Sequence, residues 1–130
     1  MIEIAGGPLE KLVMVTAHGK VTGEDYEKVL IPAIELKLKT HKKIRLLYRL
    51  DSDFTGFTAE AIWDDAKLGF GHLTAFEAVA VVTDVHWIVD AVKFFSVFLR
   101  CPVKVFGNNQ VATATDWVTT TPSWRTVGEV

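Results

Sequence analysis

The stretch from Phe76 to Phe106, FEAVAVVTDVHWIVDAVKFFSVFLRCPVKVF, decides the fold. Its opening run, AVAVVTD over Ala78 to Asp84, is rich in valine and closed by Thr-Asp; its closing run, PVKVF over Pro102 to Phe106, is short, apolar and opened by proline. Apolar on both faces and bounded by turn formers, such runs suit strands covered on both sides of a sheet. Between them the period becomes helical. Trp87, Ile88, Ala91, Val92, Phe94, Phe95, Phe98 and Leu99 share an arc of roughly 160°, wider than the stripe one sheet face covers. His86, Asp90, Lys93, Ser96 and Arg100 hold the other side, interrupted by Val89 and Val97. The unit reads as strand, helix, parallel strand, with Asp84 capping the first-turn amides and Cys101-Pro102 ending the helix. That helix carries more apolar surface than a soluble monomer normally shows to water.

Working outward, Met1 to Ile4 and Lys11 to Gly19 form two strands joined through Gly6-Gly7-Pro8, an antiparallel hairpin. Thr22 caps the first helix with Asp25 three residues on, and Tyr26, Val29, Leu30, Ala33, Ile34 and Leu36 share its inner face. Pro32 lies inside this helix, where it removes the bond to the carbonyl of Lys28, so a kink or bend is expected. Lys43 to Leu50 is the third strand, followed by a polar loop over Asp51 to Gly56. Thr58 caps the next helix, in which Ala59, Ile62, Trp63, Ala66 and Phe70 make one apolar stripe. Val111 to Val118 closes the fold as a short helix, and residues 119–130 read as an irregular tail. Helices alternating with strands imply one α/β domain over residues 1–118: a mixed five-stranded sheet, an antiparallel edge hairpin, about four helices and right-handed crossovers.

Composition excludes several classes of function. The 14 basic and 16 acidic side chains are interspersed, leaving no one-sign block to track a phosphate backbone, so nucleic acid is not an expected partner. Apolar runs fall far short of the roughly 20 residues of a membrane span, and no signal-peptide pattern follows Met1. With a single cysteine, Cys101, the chain has no internal disulfide; the expected location is cytoplasmic. No nucleophile turn, P-loop or dinucleotide fingerprint is present, so no catalytic residue and no cofactor is assigned.

Asp51, Asp53 and Asp84 follow strand ends, the rim where open α/β sheets place ligands, although Asp at such positions is most often a turn former or cap. Asp64 and Asp65 are adjacent on a helix and point about 100° apart, wrong for a proton-sharing pair; they read as solvated or locally paired. His86 and Asp90 have the i, i+4 spacing of metal ligands, but no second element completes a site. Trp63, Trp87, Phe54 and Phe57 meet at the rim between the second and third helices as the expected lining of an apolar pocket, with Thr58 and Asp84 as its polar members. Phe94, Phe95, Phe98 and Leu99 are the expected membrane or dimer surface.

Gly19-Lys20-Val21-Thr22, Asp25-Tyr26, Leu30-Ile31-Pro32, Ile44 to Tyr48, Gly56-Phe57-Thr58, Trp63 to Lys67, Ala80 to Asp84 with Trp87-Ile88, Val105-Phe106, and Ala114 with Trp117 together resemble the SpoIIAA-like proteins, small bacterial members of the STAS superfamily. The resemblance spans nearly all of the chain before the tail. It implies a non-catalytic domain similar in shape to lipid-carrier folds, which binds small apolar ligands or lipid and associates with membranes. Sigma-factor antagonists of the superfamily carry a phosphorylatable serine in an Asp-Ser-Ser-Gly turn. Here Gly56-Phe57-Thr58-Ala59 stands in that place, leaving Ser52, Thr55 and Thr58 as the hydroxyls for the alternative function, a phospho-regulated interaction switch.

Overall fold

A computed structural model describes residues 1–71, 74–97, 99 and 101–122, without the side chains at 69, 70 and 95. The expected interface residue Phe98, the Phe95 side chain, the stripe residue Phe70, Arg100 beside the cysteine, and tail residues 123–130 therefore lie outside the described residues.

The described residues form seven strands: β1 (Ile2–Gly6), β2 (Leu12–Ala17), β3 (Lys20–Val21), β4 (Ile44–Leu50), β5 (Gly56–Phe57), β6 (Phe76–Val82) and β7 (Val103–Phe106). The main sheet runs β1-β2-β4-β6-β7, with β1 antiparallel to β2 and the others parallel. A small parallel ladder, β3 with β5, is an addition that two-residue strands cannot announce by periodicity. The helices are α1 (Gly23–Asp25), which runs through a π-helical turn (Tyr26–Leu30) into α2 (Ile31–Leu38), then α3 (Ala59–Gly71), α4 (His86–Ser96) and α5 (Val111–Thr120).

The parallel strands advance across the sheet in one direction. Crossovers of one hand then place every connecting helix on the same face. The packing follows: Tyr26, Leu30 and Ile34, Ala61 and Leu68, and Ile88 join Leu46, Tyr48, Val79 and Val81 in one core. The final helix returns over the opposite face, where Ala114 and Val118 meet Leu12, Leu47, Ala78, Ala80, Val82 and Phe106. Each such Val or Leu taken fully out of water contributes about 1.5–3 kcal/mol. The kink expected at Pro32 is resolved by the π turn: the amide of Ile31 bonds the carbonyl of Tyr26, five residues back, so the missing proline donor falls at the restart of α-helix. The expected cap on the third helix is corrected. Asp84 Oδ1 accepts instead from the amide of Asn108, 3.1 Å away, and α4 starts at His86 behind a Thr83 hydroxyl that accepts from the Val85 amide.

The α5 face holds a buried charge. A register shift pairs Ile44 with Phe76 but Arg45 with Ala78, a bulge that places Glu77 on the same side as Arg45. The Arg45 guanidinium donates to the carbonyls of Val118 (2.9 Å) and Thr121 (2.6 Å) and to Glu77 (3.0 Å), and Lys11 donates to Glu77 at 2.8 Å. Helix α5, two residues longer than expected, thus ends on an arginine that satisfies carbonyls left without helical partners. Burial works to raise the pKa of Glu77, but the bonds from Lys11 and Arg45 prevail and hold it below the usual range.

At the end of β2, His18 lies among carboxylates. Its Nε2 is 2.5 Å from Glu3, and its Nδ1 is 3.1 Å from Asp53 and 3.3 Å from Asp51. The hydrogen bond to Asp53 raises the His18 pKa above its ordinary 6.5, partial burial opposes this, and the charges of Asp53, Glu3 and Asp51 add to it.

Replacing Arg45 with Met lowers unfolding free energy in urea by about 2–4 kcal/mol, because Glu77 is left half-paired and the carbonyls of Val118 and Thr121 lose their donor. Replacing the more exposed Lys11 with Met costs under about 1 kcal/mol; equal losses would show that Arg45 is not the keystone. Because His18 has a raised folded pKa, its contribution is full below the unfolded value of 6.5 and is lost as pH rises through the folded value. The urea midpoint of the protein therefore falls as pH rises above about 6.5, and His18→Gln removes that slope.

Candidate functional site

The site begins with how α3 is held. A Cβ at Gly23 would meet the Glu60 Cβ at 2.8 Å, so only glycine lets α1 and α3 approach this closely. Turned towards α1, helix α3 buries Ala61, Asp64 and Leu68 rather than the stripe predicted from its period. Ile62 and Ala66 instead face a groove, and Trp63 stands 64 % exposed with Lys67 Nζ 5.9 Å from its ring. Of the apolar stripe, Ile62 and Ala66 form the near wall of an opening.

That opening lies between α3 and α4 over β4, β6 and β7, with a volume of about 260 Å³. Leu46, Val79 and Val81 form part of its floor, Ala91 and Val92 its far wall, and Phe57 and Trp87 stand together at the α4 start. Phe57 is 4.9 Å from Phe54 and 6.3 Å from Trp87, the latter edge-on, as aromatic quadrupoles favour. The β3–β5 ladder fixes Phe57 there, and Gly56 before it has φ +147°, a conformation open essentially to glycine.

Three of the polar side chains on the groove lining form one chain of hydrogen bonds. The Tyr26 hydroxyl donates to Asp65 Oδ1 at 2.7 Å and lies 3.0 Å from the Tyr48 hydroxyl. Burial pushes both phenols above their ordinary pKa, so they stay protonated; with Tyr26 donating to the carboxylate, Tyr48 donates to Tyr26. Burial among protein atoms also raises the pKa of Asp65 and the bond from Tyr26 lowers it, while Asp65 keeps an exposed surface at the groove edge that moderates the dehydration.

Of the residues expected at the pocket, Phe57 and Trp87 line the groove, and Phe54 packs against Phe57 without lining it. The structure does not bring in Trp63, which faces outward, or Asp84, which ties β6 to the turn before α5. Thr58 caps α3, its hydroxyl accepting from the Ala61 amide at 3.1 Å, while Ser52 and Thr55 are exposed on the loop after β4. On α4, Phe94 is exposed and Leu99, just past the helix, packs against the core. Asp64, read as solvated or paired, is buried with Lys67 Nζ 3.4 Å away. Asp51 and Asp53 join His18, whose two ring nitrogens already face carboxylates; ligand atoms of these three lie within 4.8 Å of one another, but an imidazolium supplies the positive charge a cation would bring. The Cys101 thiol is buried and its pKa is pushed up to about 11 by that burial, which leaves it unreactive at neutral pH. The tyrosine–aspartate chain was missed as a site. Its signal was available: the chain has two tyrosines, both at inward positions, and a buried phenol needs a partner.

The model of the SpoIIAA-like family matches residues 12–119. Among solved structures, the chain is similar to the crystal structure of an uncharacterized protein of the DUF3478 family with a SpoIIAA-like fold from Shewanella loihica PV-4. The two are 29 % identical with a TM-score of 0.72, over 91 % of this chain and 92 % of the other. No curated protein matches the chain. The sheet order, the single helix on one face and three on the other, and a family match reaching from β2 into α5 lead to one assignment: the chain belongs to the SpoIIAA-like family.

Proposed function

We propose that this domain is a non-enzymatic binder of a small apolar or lipid-like molecule, held in the groove between α3 and α4 and exchanged at a membrane surface. The observation that carries the reading is the groove itself. It is open, about 260 Å³ in volume, walled by aliphatic and aromatic side chains, and lies just below the usual range of about 300–1,000 Å³ for small-molecule sites. An unfilled apolar opening between two helices forgoes packing that a closed core would gain. The exposed Ile62, Trp63, Trp87 and Phe94 on those helices support the membrane half, since aromatic side chains favour the bilayer interface. The absence of an activated nucleophile from the described groove lining supports binding rather than turnover, with Tyr26 and Tyr48 held as neutral phenols.

The test fills the groove from both walls. Ala66→Trp and Ala91→Phe, one on each helix, reduce binding of the apolar dye N-phenyl-1-naphthylamine by at least about tenfold while circular dichroism stays unchanged. Phe94→Asp lowers flotation with anionic liposomes and leaves dye affinity intact. A wild-type protein that binds no dye, and that native mass spectrometry finds ligand-free and dimeric, would replace this reading with a protein interface on the same helices.

A further inference from the structure

Resting on the groove reading above, we infer that Asp65 and Tyr48 form a head-group subsite at the β4 side of the groove. They select an amphiphile whose head donates hydrogen bonds, a hydroxyl or an ammonium, over one headed by a carboxylate.

The direction of the hydrogen bonds leads to this. Asp65 Oδ1 takes the Tyr26 proton, and Tyr26, fully buried, takes the proton of Tyr48. Both protons of the phenol pair are thereby spent inside the chain of bonds. What remains for a ligand is acceptors only: the lone pairs of the Tyr48 oxygen and Asp65 Oδ2, to which no donor among the described residues is directed. No cation among the described residues pairs with Asp65; the nearby Lys67 reaches Asp64. The other hydroxyl on the lining, Ser96, donates to the Lys93 carbonyl of its own helix at 2.8 Å. A largely apolar groove edged by a carboxylate with no cation partner among the described residues and by a phenol oxygen matches a ligand with an apolar body and a donating head. A carboxylate head would meet the like charge of Asp65 at the groove edge.

The measurement is displacement of N-phenyl-1-naphthylamine from the full chain at neutral pH by decanol, decylamine, decanoate and methyl decyl ether, which share an apolar body and differ in the head. Decanol or decylamine displaces the dye at about tenfold lower concentration than the ether, and decanoate is the weakest. An advantage for decylamine alone marks an ammonium head and one for decanol alone a neutral hydroxyl; either supports the subsite. Tyr48→Phe brings decanol level with the ether. Asp65→Asn, which keeps an oxygen for Tyr26, weakens decylamine and strengthens decanoate by about tenfold. Equal displacement by all four, or strongest displacement by decanoate, overturns the subsite while leaving the groove reading standing. Absence of dye binding and of displacement overturns both.

Discussion

Handedness is the constraint from which the rest of this molecule follows. Strands β2, β4, β6 and β7 advance in one direction, so the helices joining them crowd onto one face while α5 has the other to itself. Three helical connections over a sheet this narrow do not pack evenly. The α1–π–α2 helix and α3 draw together through Gly23, and the space that closer spacing leaves opens between α3 and α4. The groove is thus a product of topology and one missing Cβ. The lone helix on the opposite face needs a firm anchor, and Arg45 provides it at the α5 terminus, through a bulge that turns Glu77 to the same side.

The sequence made the architecture legible where period and punctuation agreed. Valine-rich β6 and β7 around an amphipathic α4 and the hairpin of β1 and β2 follow from runs whose burial depends on backbone parity alone. Legibility failed where tertiary contacts overrode local preference. Asp84 has the chemistry of a cap, yet its carboxylate serves the loop after β7, a partner 24 residues away. The period of α3 correctly grouped Ile62 and Ala66 but could not say which side faced the sheet, because that is set by Gly23 on another helix. Periodicity reports that a helix has two faces; the neighbour decides which is inside.

The same limit explains the candidate site. Aromatic residues at Phe54, Phe57 and Trp87 were readable because bulky apolar side chains after strand ends have few other uses. Asp65 was not, since its role depends on Tyr26 and Tyr48 arriving from a helix and a strand 39 and 17 residues away. Each of the three has an ordinary reading alone: a surface acid, a helix core residue, a strand core residue. Only together do they put hydrogen-bonding groups at one end of an apolar space.

That polar chain also has an energetic consequence for the groove. A phenol buried without a partner costs about 1–3 kcal/mol, so Tyr26 needs Asp65, and Asp65 must stay beside the groove rather than swing into water. Holding a carboxylate there keeps the groove from closing completely, because full closure would strip its remaining oxygen of solvent with no cation among the described residues to replace it. The Tyr26–Asp65 bond and the open groove are in this sense one feature: the bond satisfies the core, and the acid it holds keeps a wet, acceptor-rich edge on a space otherwise lined almost wholly by apolar side chains.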